Sequence, residues 1–375
     1  MKNKEAVEIY VHIPFCARKC DYCDFVSFVC GEDTQKKYFD ALIKQIESKK
    51  ETVGRVPVVS CFFGGGTPSL PKAEYIEKVL KKLFECFDFR EDAEITIEMN
   101  PNSGTLEKLK AYRAMGFNRV SIGLQSTEDK ELATLSRLHN YGEFLETFKA
   151  AREAGFENIN VDLMSALPGQ TLESYKKTLE RVTALEPEHI SAYSLIVEEN
   201  TPFYERYGNG EGLPSEDTER EMYYLTKSFL AEKGYFRYEI SNYSRKGYEC
   251  RHNIGYWRRI PYLGFGIAAA SLYEETRYQM HSDLKRFIEG DFTEEETVLS
   301  ENDRMEEFMF LGLRCTDGVS KKAFFERFCV DISDVYGKET EKLSKQGLLV
   351  DSDRIFLTDK GLDVANYCMS EFIRL

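Results

Sequence analysis

Hydrophobic residues recur with two different periods along the first two-thirds of the chain. Short runs of β-branched and aromatic residues predict six strands, at residues 9–13, 58–63, 95–98, 120–124, 159–163 and 190–195. The first two intervening segments carry apolar residues at helical spacing, at Tyr38, Phe39, Leu42, Ile43 and Ile46 and at Tyr75, Ile76, Val79, Leu80 and Leu83. Consecutive βα units predict a parallel sheet, and we expect an α/β fold, a partial (β/α)6 TIM-like barrel. An open doubly wound sheet is the alternative.

The pattern changes after residue 240. Residues 242–273 are rich in glycine, tyrosine and arginine without a clear period, and an acidic run follows at residues 291–297. Residues 320–375 predict two helices, a short hairpin with strands at 348–350 and 355–357, and a final helix. This order of elements is the outline of a winged helix.

These changes divide the chain into a core domain at 1–240, a connecting segment at 241–295 and a helical, winged-helix-like domain at 296–375. Winged helices often bind DNA, but the last domain carries 16 acidic and 11 basic side chains, a net charge of −5. Acidic side chains repel the phosphates of nucleic acid. We therefore expect this domain to pack against the core or to dock onto a partner.

The composition indicates a cytoplasmic protein without a nucleic acid partner. The formal net charge of the 375 residues is −14, and the sequence contains no block rich in lysine and arginine. Residues 1–8 are polar and lack the apolar core of a signal peptide, and no apolar stretch reaches 18 residues. We therefore expect no transmembrane segment.

Three cysteines follow the first predicted strand with CxxxCxxC spacing, at Cys16, Cys20 and Cys23. Clustered thiolates select iron–sulfur clusters, zinc or copper. A structural zinc site needs four protein ligands, whereas three thiolates leave one iron of a [4Fe–4S] cluster open to another ligand. The spacing therefore favours a [4Fe–4S] cluster, and zinc held by the three thiols and His12 is the alternative.

Polar residues and glycines fall where the predicted strands end. A glycine-rich turn, Gly64-Gly65-Gly66-Thr67, follows the second strand, Glu98 closes the third, Gln125 follows the fourth and Asp162 lies near the end of the fifth. Each of these could be an ordinary turn residue. Ligands of a βα barrel bind at the carboxyl ends of its strands. Since these residues and the three cysteines all follow or close predicted strands, the sequence predicts that they form one ligand site.

Together these motifs resemble the radical S-adenosylmethionine (SAM) superfamily. More specifically, the whole chain resembles the branch that contains the oxygen-independent coproporphyrinogen III oxidases and related heme chaperones, including the segments LGLR at 311–314 and LTDKG at 357–361. The resemblance implies that Cys16, Cys20 and Cys23 bind the cluster, and that its open iron chelates SAM.

The resemblance also implies a SAM pocket. Tyr10 and Tyr22 would flank the cluster and SAM, and Gly65, Gly66 and Thr67 would bind the methionine end. Glu98 would accept hydrogen bonds from the ribose hydroxyls. The pocket would be completed by Gln125, Arg137 and Asp162, with the guanidinium of Arg137 facing the SAM carboxylate.

Two features separate the oxidases from the heme chaperones within this branch. The oxidases carry a fourth cysteine two positions after the third and a long amino-terminal extension, whereas this chain has Phe25 there and fifteen residues before Cys16. Residues 252–257 instead match the HNxxYW motif of the heme chaperones. The motif implies that His252, Tyr256 and Trp257 contact heme, and the alternative is that they pack between the barrel and the last domain.

We therefore expect a heme chaperone that binds a [4Fe–4S] cluster, SAM and heme, and passes heme to acceptor proteins. The alternative is a coproporphyrinogen III oxidase. Ala270 stands where a histidine is frequent in the family, so this chain lacks any heme contact of that histidine. The sequence leaves open the catalytic residues, the cleavage of SAM and the formation of a homodimer.

Overall fold

The structure, a computed structural model, describes residues 5–374. Residues 1–4, which are part of the polar amino-terminal stretch assigned to the core domain, and residue 375 at the end of the last domain lie outside the described residues.

Six parallel strands form the centre of the fold. They are β1 (Val7–Ile13), β2 (Pro57–Gly65), β3 (Asp88–Met99), β4 (Arg119–Gln125), β5 (Ile159–Ser165) and β6 (His189–Ser194). Each strand pairs in parallel with the next one along the chain. The six predicted strands and the partial-barrel class are confirmed.

Helices connect these strands, as the apolar spacing predicts. The helices of this part of the chain are α1 (Glu32–Val53), α2 (Ala73–Cys86), α3 (Leu106–Met115), α4 (Asp129–Thr134), α5 (Tyr141–Glu153), α6 (Leu172–Thr183), α7 (Pro202–Tyr207) and α8 (Glu216–Glu232). The first two bury the predicted apolar faces, including Tyr38, Phe39 and Leu42 of α1. Burying these faces against the sheet is the main source of stability for such helices.

Residues 236–298 extend the same sheet. Short strands β7 (Phe236–Arg237) and β8 (Asn242–Ser244) continue it beyond β6. Beyond β1 it continues through β9 (Tyr262–Phe265), β10 (Ala270–Tyr273), β11 (Thr276–Met280) and β12 (Glu294–Val298). Two helices lie among these strands, α9 (Arg251–Trp257) and α10 (Leu284–Ile288). Residues without a clear period therefore supply strands of the barrel sheet, which the sequence pattern does not predict.

The last part of the chain has its own hydrophobic cluster, from Met305 to Phe372. Its elements are α11 (Glu301–Gly312), β13 (Val319–Ser320), α12 (Lys321–Phe328), α13 (Ile332–Lys345), β14 (Leu349–Asp351), β15 (Arg354–Leu357), α14 (Asp359–Asp363) and α15 (Ala365–Ser370). The predicted order of helix, helix, hairpin and helix is present. A third strand, β13, pairs with β15, and the final helix is divided in two.

Alternation along the parallel strands places polar side chains inside the barrel. In β1, Val7, Ile9 and Val11 belong to the hydrophobic core, while Glu8 and His12 make polar contacts with interior residues. This alternation follows from the two-residue period of a strand. The interior is therefore polar along its length, and it leads to the carboxyl ends of the strands. Among residues 5–374, no helix has the length and apolar character needed to span a membrane.

Candidate functional site

A cavity of about 450 Å³ opens at the carboxyl ends of the barrel strands. Its lining includes Cys16, Cys20, Tyr22, Cys23, Gly65, Gly66, Thr67, Glu98, Gln125, Arg137 and Asp162. The structure thus brings together the three cysteines predicted to bind the cluster and eight of the nine residues predicted to bind SAM. A cavity of this volume suits one small-molecule ligand.

The three cysteines lie on a loop whose two ends are fixed to each other. Phe15 is fully buried, the backbone N–H of Cys16 donates to Phe28 O at 3.0 Å, and Phe28 N–H donates to Pro14 O at 2.7 Å. Within the loop, Cys23 N–H donates to Cys20 O at 3.1 Å. All three thiols are partly exposed and free. A fixed stem with accessible thiols is the arrangement a cluster-binding loop needs.

Gly65 and Gly66 let strand β2 pass close to this loop. Gly65 has a φ of +113°, and a Cβ at that position would lie 2.7 Å from Cε1 of His12. A Cβ on Gly66 would lie 2.9 Å from backbone atoms of Phe15 and 3.0 Å from Cys16 Sγ. A side chain at either position would therefore displace the loop that carries the cysteines.

His12 holds the far end of the cysteine loop through a hydrogen bond to Val26, and its second ring nitrogen is also engaged. Its Nε2–H donates to the carbonyl of Val26 at 2.9 Å, and its Nδ1 accepts from the hydroxyl of Tyr10 at 3.0 Å. Burial lowers the pKa of His12, which keeps the ring neutral, and the carbonyl of Val26, which can only accept, places the proton on Nε2. With both nitrogens engaged, His12 has no lone pair for zinc in this structure.

The described residues form no ready-made site for a single metal ion. Among residues 5–374, no three side chains of His, Cys, Asp or Glu converge on one point as ligands of one ion. In a [4Fe–4S] cluster each thiolate binds a different iron, so its ligands need no common point. Burial raises the pKa of the Cys23 thiol to about 11, so metal binding there releases a proton at neutral pH.

Asn100 connects three walls of the cavity and was missed by the sequence analysis. Its Nδ2 donates to Thr67 Oγ1 at 2.8 Å, and its Oδ1 accepts from Arg137 Nη2 at 2.6 Å. Arg137 also donates to Gly123 O at 2.5 Å and reaches Cys20 Sγ at 3.8 Å. Asn100 comes two residues after Glu98 at a strand end, and this position could have identified it as a site residue.

Glu98 is held in the cavity wall by one backbone donor. Its Oε2 accepts from Gly65 N–H at 3.2 Å. Burial, with repulsion from Asp162 as a further cause, raises the pKa of Glu98 to about 8. Burial also raises the pKa of Asp162, which accepts from Asn160 at 2.7 Å and from Ser121 at 3.2 Å. Both carboxyl groups can form hydrogen bonds with hydroxyls, and a cationic ligand beside them would favour their ionised forms.

Gln125 and Tyr193 form the wall of the cavity nearest β5 and β6. The backbone of Gln125 is left-handed, with a φ of +73°, and its Oε1 accepts from Tyr193 Oη at 3.2 Å. Tyr193 lies on β6 and was not predicted as a site residue. Its inward direction depends on the strand register, which a predicted segment alone does not specify.

Tyr10 does not border the cavity itself. It lies beneath the wall, because a Cβ on Gly64 would meet Tyr10 Cε2 at 3.0 Å and Glu98 Oε2 at 3.1 Å. Tyr10 and Glu98 therefore both lie next to Gly64, and the predicted role of Tyr10 in flanking the cluster and SAM stays a prediction.

The HNxxYW motif forms helix α9 at the opposite end of the barrel. The ring of His252 is 1% exposed and lies on Phe62, with centroids 5.2 Å apart. Its Nδ1 shares a hydrogen bond with Ser60 Oγ at 2.9 Å and its Nε2 another with Tyr256 Oη at 3.0 Å. Burial, together with repulsion from Arg119, lowers the pKa of His252 to about 3.

Trp257 lies between the barrel and the last domain. The guanidinium of Arg314 stacks over its ring at 4.2 Å from the centroid. The buried Nε1 of Trp257 has no partner among residues 5–374. This geometry matches the packing alternative for the motif, and the heme contacts of His252, Tyr256 and Trp257 stay a prediction.

Comparison with known protein families and relatives is consistent with this site. The model of the Radical SAM superfamily matches residues 10–182, and that of the HemN C-terminal domain matches residues 299–364. The heme chaperone HemW of Lactococcus lactis is 36% identical over 97% of this chain and 96% of its own length. HemW of Bacillus subtilis is 35% identical over 97% of this chain and 98% of its own length.

A solved structure shares the complete fold. Coproporphyrinogen III oxidase (HemN) from Escherichia coli, a radical SAM enzyme, superposes with a TM-score of 0.87. It is 26% identical and covers 99% of this chain and 90% of its own chain.

Proposed function

The chain belongs to the family of the heme chaperone HemW within the radical SAM superfamily, and we propose that it binds heme and transfers it to acceptor proteins. It carries a [4Fe–4S] cluster and SAM for this task. The observation that supports the cofactors most directly is the convergence of Cys16, Cys20 and Cys23 with the polar strand ends on one cavity.

Each part of the cavity has a role in this proposal. The three thiolates would hold the cluster and leave one of its irons open to bind SAM. Glu98 accepts the ribose hydroxyls, and Arg137 places its charge beside Cys20 and the SAM carboxylate. Tyr22, Gly65, Gly66, Thr67, Gln125 and Asp162 form the rest of the wall.

The heme contacts at the HNxxYW motif require a change in this structure. Ser60 Oγ donates to Glu8 at 2.9 Å, so His252 Nδ1–H donates to Ser60, and Nε2 accepts from Tyr256. Iron could reach Nε2 after Tyr256 moves away. We retain His252 as a predicted ligand on this condition, with Tyr256 and Trp257 as neighbours of the porphyrin.

The alternative function is oxidative decarboxylation of coproporphyrinogen III to protoporphyrinogen IX. The close superposition on the oxidase from Escherichia coli is the observation that favours it. Against it stands Phe25, which is 62% exposed at the cavity mouth where the oxidases carry a fourth cysteine. In the proposed function the chain works in the cytoplasm, and its partners are heme and the proteins that accept it.

One experiment separates the two functions. Anaerobically reconstituted protein is titrated with hemin and, in parallel, incubated with coproporphyrinogen III, SAM and a reductant. We expect saturable heme binding and no protoporphyrinogen. Substantial decarboxylation would overturn the chaperone assignment, and absence of saturable heme binding would remove its basis.

A further inference from the structure

A chain of hydrogen bonds runs through the barrel from the SAM cavity to the start of helix α9. Asp162, in the cavity wall, accepts from Asn160 Nδ2 at 2.7 Å, and Asn160 Oδ1 lies 2.6 Å from Nδ1 of His189. The Nε2 of His189 lies 2.8 Å from Tyr238 Oη, which accepts from the backbone N–H of Cys250 at 3.2 Å. Cys250 immediately precedes α9. The chain therefore connects the two ends of the barrel.

Every donor in this chain points toward Asp162. The amide nitrogen of Asn160 also donates to Ser121 Oγ at 2.7 Å, so the amide oxygen is the atom that faces His189. Because an amide oxygen only accepts, Nδ1 of His189 carries the proton, and Nε2 accepts from the hydroxyl of Tyr238. Burial lowers the pKa of His189, which keeps its ring neutral. Hydrogen bonds aligned in one direction polarise one another, so a change of charge at Asp162 alters the strength of the bond at the far end.

Helix α9 is packed tightly against the barrel at the far end of the chain. A side chain at Gly255 would overlap the carboxylate of Glu8, so the helix lies directly on the barrel floor. The ring of Tyr256 is held between those of His252 and Tyr262, with its centroid 4.7 Å from each. Moving Tyr256 away from His252, which heme ligation requires, therefore requires α9 to shift.

We propose that SAM and heme oppose each other through this chain: SAM binding holds helix α9 against the barrel, and heme binding at His252 releases it. This inference rests on the proposed function and on its SAM site. The positive charge of SAM favours the ionised form of Asp162, and an anionic acceptor strengthens each bond of the chain as far as Cys250. Heme requires the opposite state, in which α9 has shifted and Nε2 of His252 is free.

The coupling has a defined sign. Couplings between two sites of one protein typically change affinity about 5- to 150-fold, and they are reciprocal. Saturating SAM should therefore weaken hemin affinity, and hemin should weaken SAM affinity by the same factor. Within the proposed function, SAM would favour the release of heme to an acceptor protein.

The test breaks the chain at Tyr238. Tyr238→Phe removes the hydroxyl that joins His189 to Cys250, and it keeps the ring that packs on His189 with centroids 5.6 Å apart. The matched control is Tyr235→Phe, because Tyr235 is buried three residues earlier and its hydroxyl donates to Pro187 O at 2.7 Å, outside the chain. If Tyr238→Phe loses the cluster, His189→Leu, which breaks the chain at its next link, takes its place.

Two measurements are made on anaerobically reconstituted protein, each with and without saturating SAM. Hydrogen–deuterium exchange of the amides of residues 250–257 follows helix α9 and needs no heme, and titration with hemin gives the hemin affinity. In wild type and Tyr235→Phe, we expect SAM to slow this exchange and to weaken hemin affinity, each about fivefold or more. In Tyr238→Phe, we expect SAM still to bind and both effects to fall within about twofold.

The outcomes distinguish the coupling from the function on which it rests. Wild type without saturable hemin binding would overturn the proposed function, and the exchange measurement would still decide whether SAM acts on α9. Equal effects of SAM in wild type and Tyr238→Phe would overturn the chain as the connection, and so would an equal loss of these effects in Tyr235→Phe. SAM that binds wild type without slowing exchange in α9, or that raises hemin affinity, would overturn the coupling and leave the chaperone function intact.

Discussion

The two ends of the barrel use polar side chains in opposite ways. At the carboxyl ends, Glu98 and the three thiols border an open cavity. At the amino ends, Glu94 accepts from the thiol of Cys250 at 3.5 Å and from the N–H groups of Arg251 and His252 at 3.2 Å each. Polar groups at the first end are available to a ligand, whereas most at the second end hold helix α9 in place.

The contrast continues into the contact with the last domain. The side chain of Arg259 is fully buried, and it donates to Glu307 at 2.7 Å and to Glu275 at 3.1 Å. Arg277 and Arg327 complete this network with the same two carboxylates. It joins the segment between α9 and β9 to helix α11. The pairing is not complete everywhere, because buried atoms of Glu8, Thr96 and Arg119 have no partner among residues 5–374.

The largest effect should come from the thiols at the carboxyl ends of the strands, which are the open end of the barrel. Alanine at Cys16, Cys20 or Cys23 should abolish the cluster absorbance, because each substitution removes one of three protein anchors. Iron and sulfide analysis of reconstituted wild type should give about four of each per chain. Cys30→Ala, which lies outside the motif, is the control and should retain the cluster. Zinc bound in place of iron under these conditions would contradict the prediction.

The buried network of Arg259 lies near the amino ends of the strands, which are the closed end of the barrel. It should affect the stability of the fold and not cofactor binding. Arg259→Leu should lower the free energy of unfolding by about 1.5–3 kcal/mol, because it removes the fully buried, charged donor of the network while Glu307 and Glu275 keep Arg277 and Arg327 as partners. Urea denaturation measures this change. The control is Arg258→Leu, whose exposed pair with Asp317 is worth less than about 1 kcal/mol. Equal stability in the two variants would argue against the network.

The parallel strands and their connecting helices could be predicted because their apolar periods are long and regular. Strands β9 and β10 are four residues each and lie in a glycine-rich stretch, so no period emerges from them. They are stabilised by pairing with β1 and with each other, which the sequence pattern does not reveal. The barrel could thus be predicted, but not the strands that extend its sheet.

The candidate site could be predicted where a residue type and a strand end coincide, as at Glu98 and Asp162. Arg137 was assigned through family resemblance, because the sequence pattern favours an exposed helical position. The structure puts it after α4, where Ser136 takes a left-handed φ of +58° and the chain turns back to the cavity. Such turns depend on tertiary packing and leave no periodic signal.

Glu98 tests whether the open end binds SAM as proposed. Glu98→Ala should weaken SAM binding by about 1.5–3 kcal/mol, because the positive charge of bound SAM favours the ionised carboxylate and the variant removes its charge-assisted hydrogen bonds. Equilibrium binding of SAM to reconstituted protein measures the loss, and the cluster absorbance should persist. Glu91→Ala, an exposed position on the same strand, is the control. Unchanged SAM affinity would remove Glu98 from the pocket, and loss of the cluster would indicate a folding defect.

The smallest effect is a pH dependence of stability that the open end should impose on the protein without SAM and cluster. The pKa of Glu98 rises from its usual 4.5 to about 8 on folding, so between these values the folded chain holds a proton that the unfolded chain releases. The stability that this proton contributes is therefore fully present below pH 4.5, and it is lost as pH rises through 8. Between pH 7 and 8 this loss should be about 1 kcal/mol.

Glu98→Gln removes this proton and should make the fall in stability between pH 7 and 8, measured by urea denaturation, less steep than in wild type, whereas Glu8 and Asp162, whose pKa values burial also raises, are present in both proteins. The buried histidines do not interfere in this range, because their lowered pKa values affect stability only at more acidic pH. Histidine titration should therefore remain in both proteins below pH 7. Parallel stability curves for wild type and Glu98→Gln above pH 7 would show that Glu98 is ionised in the folded chain. The carboxylate of Glu98 would then be stabilised by partners to the same degree as the polar groups at the closed end. The contrast between an open end with available polar groups and a closed end with paired ones would not hold for Glu98.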